Sequence, residues 1–74
     1  MTDHIKRGHV MSYKPVDLKN GTRKYITTFA IENEDFVGGT EYVTLWIHKE
    51  PYCMQEWRLM YWNFKYTACD PVEQ

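Results

Sequence analysis

Seventy-four residues allow one domain and no more, and a chain this short buries only a limited fraction of its surface. Hydrophobic residues make up 43% and charged residues 26%, a globular mixture with no low-complexity tract and no apolar run near membrane-spanning length. The net charge of −1 argues against a strongly basic nucleic-acid binder.

Residues 5–13 alternate and read as a first strand. Ile5, Arg7, His9, Met11 and Tyr13 share one face; Lys6, Val10, Ser12 and Lys14 share the other. Pro15 should end that strand or mark a sheet edge. Asn20-Gly21 tolerates positive φ at both central turn positions, so a two-residue hairpin turn is expected there. Residues 22–32 form a second strand rich in Tyr, Ile, Thr and Phe, with faces Tyr25/Thr27/Phe29/Ile31 and Lys24/Ile26/Thr28/Ala30. Residues 33–40, acidic and then Gly38-Gly39, read as a loop. Residues 41–49 form the third strand. Val43, Leu45 and Ile47 should face the core, and Tyr42, Thr44, Trp46 and His48 should face away.

Glu50-Pro51 breaks that strand, and two readings follow it. One is a short helix over 51–59, with Pro51 at its first position and Met54, Trp57 and Tyr61 on one side. The other is a single long strand over 57–68. Residues 61–67 are strand on either reading, with Met60, Trp62, Phe64 and Tyr66 alternating against Tyr61, Asn63, Lys65 and Thr67. Residues 70–74 read as a frayed tail. The expected fold is therefore one domain, 1–74, all-β or mainly β: a small antiparallel sheet curled into a partial barrel, because curling removes exposed edges.

Catalysis finds little support. His4, His9, His48, Cys53 and Cys69 are scattered singly, without metal-ligand spacing, so no metal site or cofactor is expected. Cys53 lies near His48 across a turn, but nothing orients the imidazole as a base. Gly38-Gly39 lacks the Lys-Ser/Thr of a phosphate loop. The chain is read as no enzyme. With neither an export signal at residues 1–7 nor a Cys-x-x-Cys motif, the expected setting is cytoplasmic, with reduced thiols and no membrane association.

Binding is better supported. Aromatic residues reach 16%, too many to hide in so small a core, and surface rings favour partners. Charge is also uneven. Lys6, Arg7, Lys14, Lys19, Arg23 and Lys24 outweigh Asp3 and Asp17 in residues 1–30, whereas Glu32, Glu34, Asp35, Glu41 and Glu50 outweigh Lys49 in residues 31–50. Such a split fits either a basic binding face or two neighbouring segments that neutralise each other. Tyr42, Trp46, His48, Tyr61 and Lys65 fall on faces opposite the inferred core, with Arg23 and Lys24 nearby. Rings interleaved with cations on a sheet suit single-stranded nucleic acid, whose bases stack and whose phosphates seek Lys and Arg.

The stretch Asn20-Gly-Thr-Arg-Lys-Tyr-Ile-Thr-Thr-Phe-Ala-Ile-Glu-Asn33, a polar loop, and Thr40-Glu-Tyr-Val-Thr-Leu-Trp-Ile-His-Lys49 resembles the central hairpin of OB-fold single-stranded DNA-binding proteins. The likeness covers residues 20–49. It implies that Trp46 and His48 lie on the DNA-facing strand. The chain is shorter than that family's usual domain, and Asp70-Pro-Val-Glu-Gln74 does not match the acidic, Gly-rich tail of bacterial members. The alternative is a small protein-binding inhibitor or regulator of the phage type, acting on a host enzyme through surface aromatics.

Overall fold

The structure, a computed structural model, describes residues 4–32 and 39–72. It is all-β. Five strands, β1 (His4–Asp17), β2 (Arg23–Glu32), β3 (Thr40–Ile47), β4 (Glu56–Trp62) and β5 (Lys65–Pro71), form one antiparallel sheet in the order β3-β2-β1-β4-β5. The sheet curls into a half-barrel whose concave side holds the core: Val10, Tyr25, Phe29, Ile31, Ile47, Trp57 and Leu59.

β1 is shared by both halves of the sheet. Its residues from Gly8 to Asp17 pair with β2, and those from His4 to His9 pair with β4. At the crossing the strand has no room for a side chain. A Cβ on Gly8 would stand 3.0 Å from both Ile31 Cγ1 and Leu59 Cδ1. Just beyond, the register of β1 on β2 shifts between Val10 and Ser12, a bulge at Met11. The bulge resets the alternation, so Val10 and Tyr13 both turn toward the core although sequence spacing puts them on opposite faces. Pro15 does not end the strand. It pairs with Tyr25 where β1 has left β4 behind, an edge position that tolerates its missing N–H.

The first hairpin closes differently from expectation. Gly21 N–H donates to Leu18 C=O at 3.1 Å, spanning Lys19-Asn20, and only Gly21 then takes positive φ (87°). This is a three-residue loop with the glycine in the left-handed position, not a two-residue Asn-Gly turn. Asn20 instead caps the loop, its Oδ1 accepting from Thr22 N–H at 3.2 Å.

The region after β3 corrects two further expectations. No helix occurs among the described residues. Pro51 is buried instead of opening a helix, and Gln55 Oε1 accepts from Tyr52 N–H and from the Trp57 indole N–H, both at 3.1 Å. Nor is 61–67 one strand. Asn63 and Phe64, with φ of 54° and 62°, turn the chain back so that Trp62 pairs with Lys65 and Tyr61 with Tyr66. Both central residues left-handed is the signature of a tight two-residue hairpin. Beyond β5's other pairs, Pro71 pairs with Trp57, and Val72 N–H donates to Glu56 C=O at 2.8 Å.

Candidate functional site

The pairing of β2 with β3 decides which side chains share the convex face. Tyr25, Thr27 and Phe29 oppose Ile47, Leu45 and Val43 on the concave side. Ile26, Thr28 and Ala30 therefore oppose Trp46, Thr44 and Tyr42 on the convex side. The rows continue onto β1, where Lys14 faces Ile26, Ser12 faces Thr28 and His9 faces Ala30. The result is a three-strand floor of small and hydroxyl side chains, with the Thr28 and Thr44 hydroxyls hydrogen-bonded at 3.2 Å. Two aromatic side chains stand over it, Trp46 at 54% and Tyr42 at 63% exposed.

Lys24 continues the same face of β2 beyond Ile26, and His48 is exposed just past the end of β3. Trp46, Lys24 and His48 thus lie toward one end of the β2–β3 pair, and Tyr42, opposite Ala30, toward the other. The remaining expected residues do not join them. Arg23 is exposed but donates to Asp17 at 2.7 Å, and that bond raises its pKa above the ordinary value. Tyr61 belongs to the concave side, with its ring 4.7 Å from Tyr66. Lys65 begins β5, and β2, β1 and β4 lie between it and β3 in the sheet.

Sequence reasoning missed Lys14 and Ile26 as parts of this face. Their signal was present in the alternation of β2, but the Met11 bulge hid the side on which Lys14 falls. It also missed a polar cluster at the mouth of the half-barrel. The Lys6 ammonium stands over the rings of Tyr61 and Tyr66, at 5.2 and 5.8 Å from their centroids. The Tyr66 hydroxyl donates to Glu41 Oε1 at 3.0 Å, linking β5 to β3 across the seam. Burial, and then the bond to the Glu41 carboxylate, push the Tyr66 pKa up to about 12.

Cys53 and Cys69 are exposed free thiols, and no group of three or more His, Cys, Asp or Glu able to hold a metal occurs among the described residues. Among the described residues, no helix is long and apolar enough to cross a membrane. Compared with protein-family models, curated proteins and solved structures, the chain matches none.

Proposed function

We propose that this chain is a small non-enzymatic module that binds single-stranded nucleic acid on the convex face of β1, β2 and β3. The observation that carries the reading is the pair Trp46 and Tyr42. Both rings are more than half exposed, on one strand and one side, with Lys14 and Lys24 on the neighbouring strands. Bases would stack on the rings, and the lysines would meet the phosphates. A five-stranded, partly open barrel is also the frame of the OB fold, in which the face of the second and third strands takes oligonucleotides. The resemblance of residues 20–49 to single-stranded DNA-binding proteins points to the same reading.

The test is fluorescence titration with short oligothymidylate at two salt concentrations, in a Trp62→Phe background. Trp57 is buried, so a change in emission then reports Trp46. Trp46→Ala should weaken binding by about 1–3 kcal/mol through lost stacking. Lys24→Ala should lower the salt slope by about 0.7, the contribution of one phosphate contact on a single strand. Emission unmoved by any oligonucleotide at low salt would rule this reading out.

A second reading, a protein-binding inhibitor or regulator, has its own observation. The β4–β5 hairpin carries Phe64 at 89% and Trp62 at 49% exposure on a two-residue turn. Bulky apolar groups on a stiff support make good anchors in a partner's pocket. Binding to such a partner should vary little with salt and should be lost in Phe64→Ala.

A further inference from the structure

Trp46 and Tyr42 stand four residues apart on β3, with the exposed Thr44 midway between them on the same face. A strand rises about 3.4 Å per residue, so the two rings are rooted roughly 14 Å apart. Bases that stay stacked on one another advance only about 3.4 Å along their strand. A stacked run therefore cannot place neighbouring bases on both rings. An unstacked strand, with its bases splayed onto side chains, crosses the same distance in roughly two steps. One nucleotide then lies between the two that stack.

That middle nucleotide meets hydroxyls. Thr28 pairs directly with Thr44, and their hydroxyl oxygens are hydrogen-bonded at 3.2 Å. One O–H is used in that bond, and the other is left free together with lone pairs on the oxygens. The pair thus presents a donor and an acceptor side by side, which is what a base edge can match. At the Trp46 end, Lys14 pairs with Ile26, which itself pairs with Trp46, and Lys24 comes two residues before Ile26. A phosphate backbone suits that end. We infer that the convex face holds three consecutive nucleotides along β3, the outer bases on Trp46 and Tyr42 and the middle base bonded to the Thr28–Thr44 hydroxyl pair. This register rests on the single-strand reading of the face and adds to it a footprint and two residues that touch a base edge. Each of the four bases offers both donors and acceptors or accepts contact from Thr, so the middle position requires a base without choosing among them.

Titrations of Trp46 emission in the Trp62→Phe background test it with thymidylates of two, three and six nucleotides, and with a trimer that lacks its middle base. The trimer should bind roughly 5- to 150-fold more tightly than the dimer, the worth of one stacked base. That gap should close in Tyr42→Ala. Loss of the middle base should weaken the trimer about 2- to 12-fold, the worth of one hydrogen bond. In a Thr28→Val, Thr44→Val variant, which keeps the β-branched shape, the trimer should bind alike with and without that base. A hexamer that fails to bind at low salt overturns the single-strand reading and the register with it. A hexamer that binds while the trimer gains nothing over the dimer overturns the register alone. So does a gap that survives Tyr42→Ala, or a valine variant that still distinguishes the missing base.

Discussion

Phe64 holds a backbone conformation poorly suited to its side chain. Its φ of 62° is left-handed, which costs an L-residue with a Cβ about 1–2 kcal/mol, and its exposed ring recovers little by packing. Phe64→Gly should therefore stabilise the domain by roughly 1 kcal/mol and raise the melting temperature by about 4–8 °C. A melting temperature equal to or below that of the parent would show that the ring contributes more in the folded state than its exposure implies. Depth, unlike direction, was not legible for single residues. Val43, Leu45 and Ile47 do face inward, but only Ile47 is buried, because β3 is an edge strand and the core centres on β1, β2 and β4. Leu59→Ala should thus cost about 2–5 kcal/mol, and Leu45→Ala distinctly less, in matched denaturant titrations.

At the scale of elements, legibility followed unbroken alternation. β2 and β3 are regular and pair residue for residue, and their faces could be read directly. β1 could not, because one extra residue at Met11 inverts every later side chain. β4 contains Glu56, Arg58, Leu59 and Met60, good helix formers in isolation, yet Trp57 and Leu59 are held in the core by a strand period of two. The β4–β5 turn escaped notice because Trp62-Asn63-Phe64-Lys65 continues the alternation and contains no glycine. The candidate site was half legible: Trp46 and Tyr42 follow from β3 alone, whereas Lys14 needs the bulge, and Tyr61 falls on the concave side because it shares its face of β4 with the core residues Trp57 and Leu59. Between elements, the Tyr66–Glu41 bond joins the two edge strands. A tyrosine near pKa 10 when unfolded and about 12 when folded lends stability that is complete below pH 10. That part is lost as pH rises through about 12. Melting temperatures taken across this alkaline range should fall more steeply for the parent than for Tyr66→Phe; parallel curves would remove Tyr66 from the linkage.

For the molecule as a whole, no ion pair among the described residues joins the basic first part of the chain to its acidic middle. Among the described residues, Arg7 and His9 approach Glu56, Arg23 meets Asp17, and Arg58 meets Asp70. Lys14 and Lys24 have no such partner among the described residues, and the proposed salt dependence rests on them. The position of β1 between both halves has a further consequence, for the order in which the chain assembles. Each hairpin joins neighbours in sequence, but Gly8 finds Trp57 only after most of the chain has been brought round. Closing so long a loop is entropically unfavourable, so contacts between β1 and β4 should form on the native side of the folding barrier. In a Trp46→Phe, Trp62→Phe background, Trp57, packed edge-on against Phe29 at 5.9 Å, reports that step by its emission. In stopped-flow experiments Leu59→Ala should accelerate unfolding while leaving the refolding rate nearly unchanged. Slowed refolding in that variant would instead place the two halves of the half-barrel together from the outset.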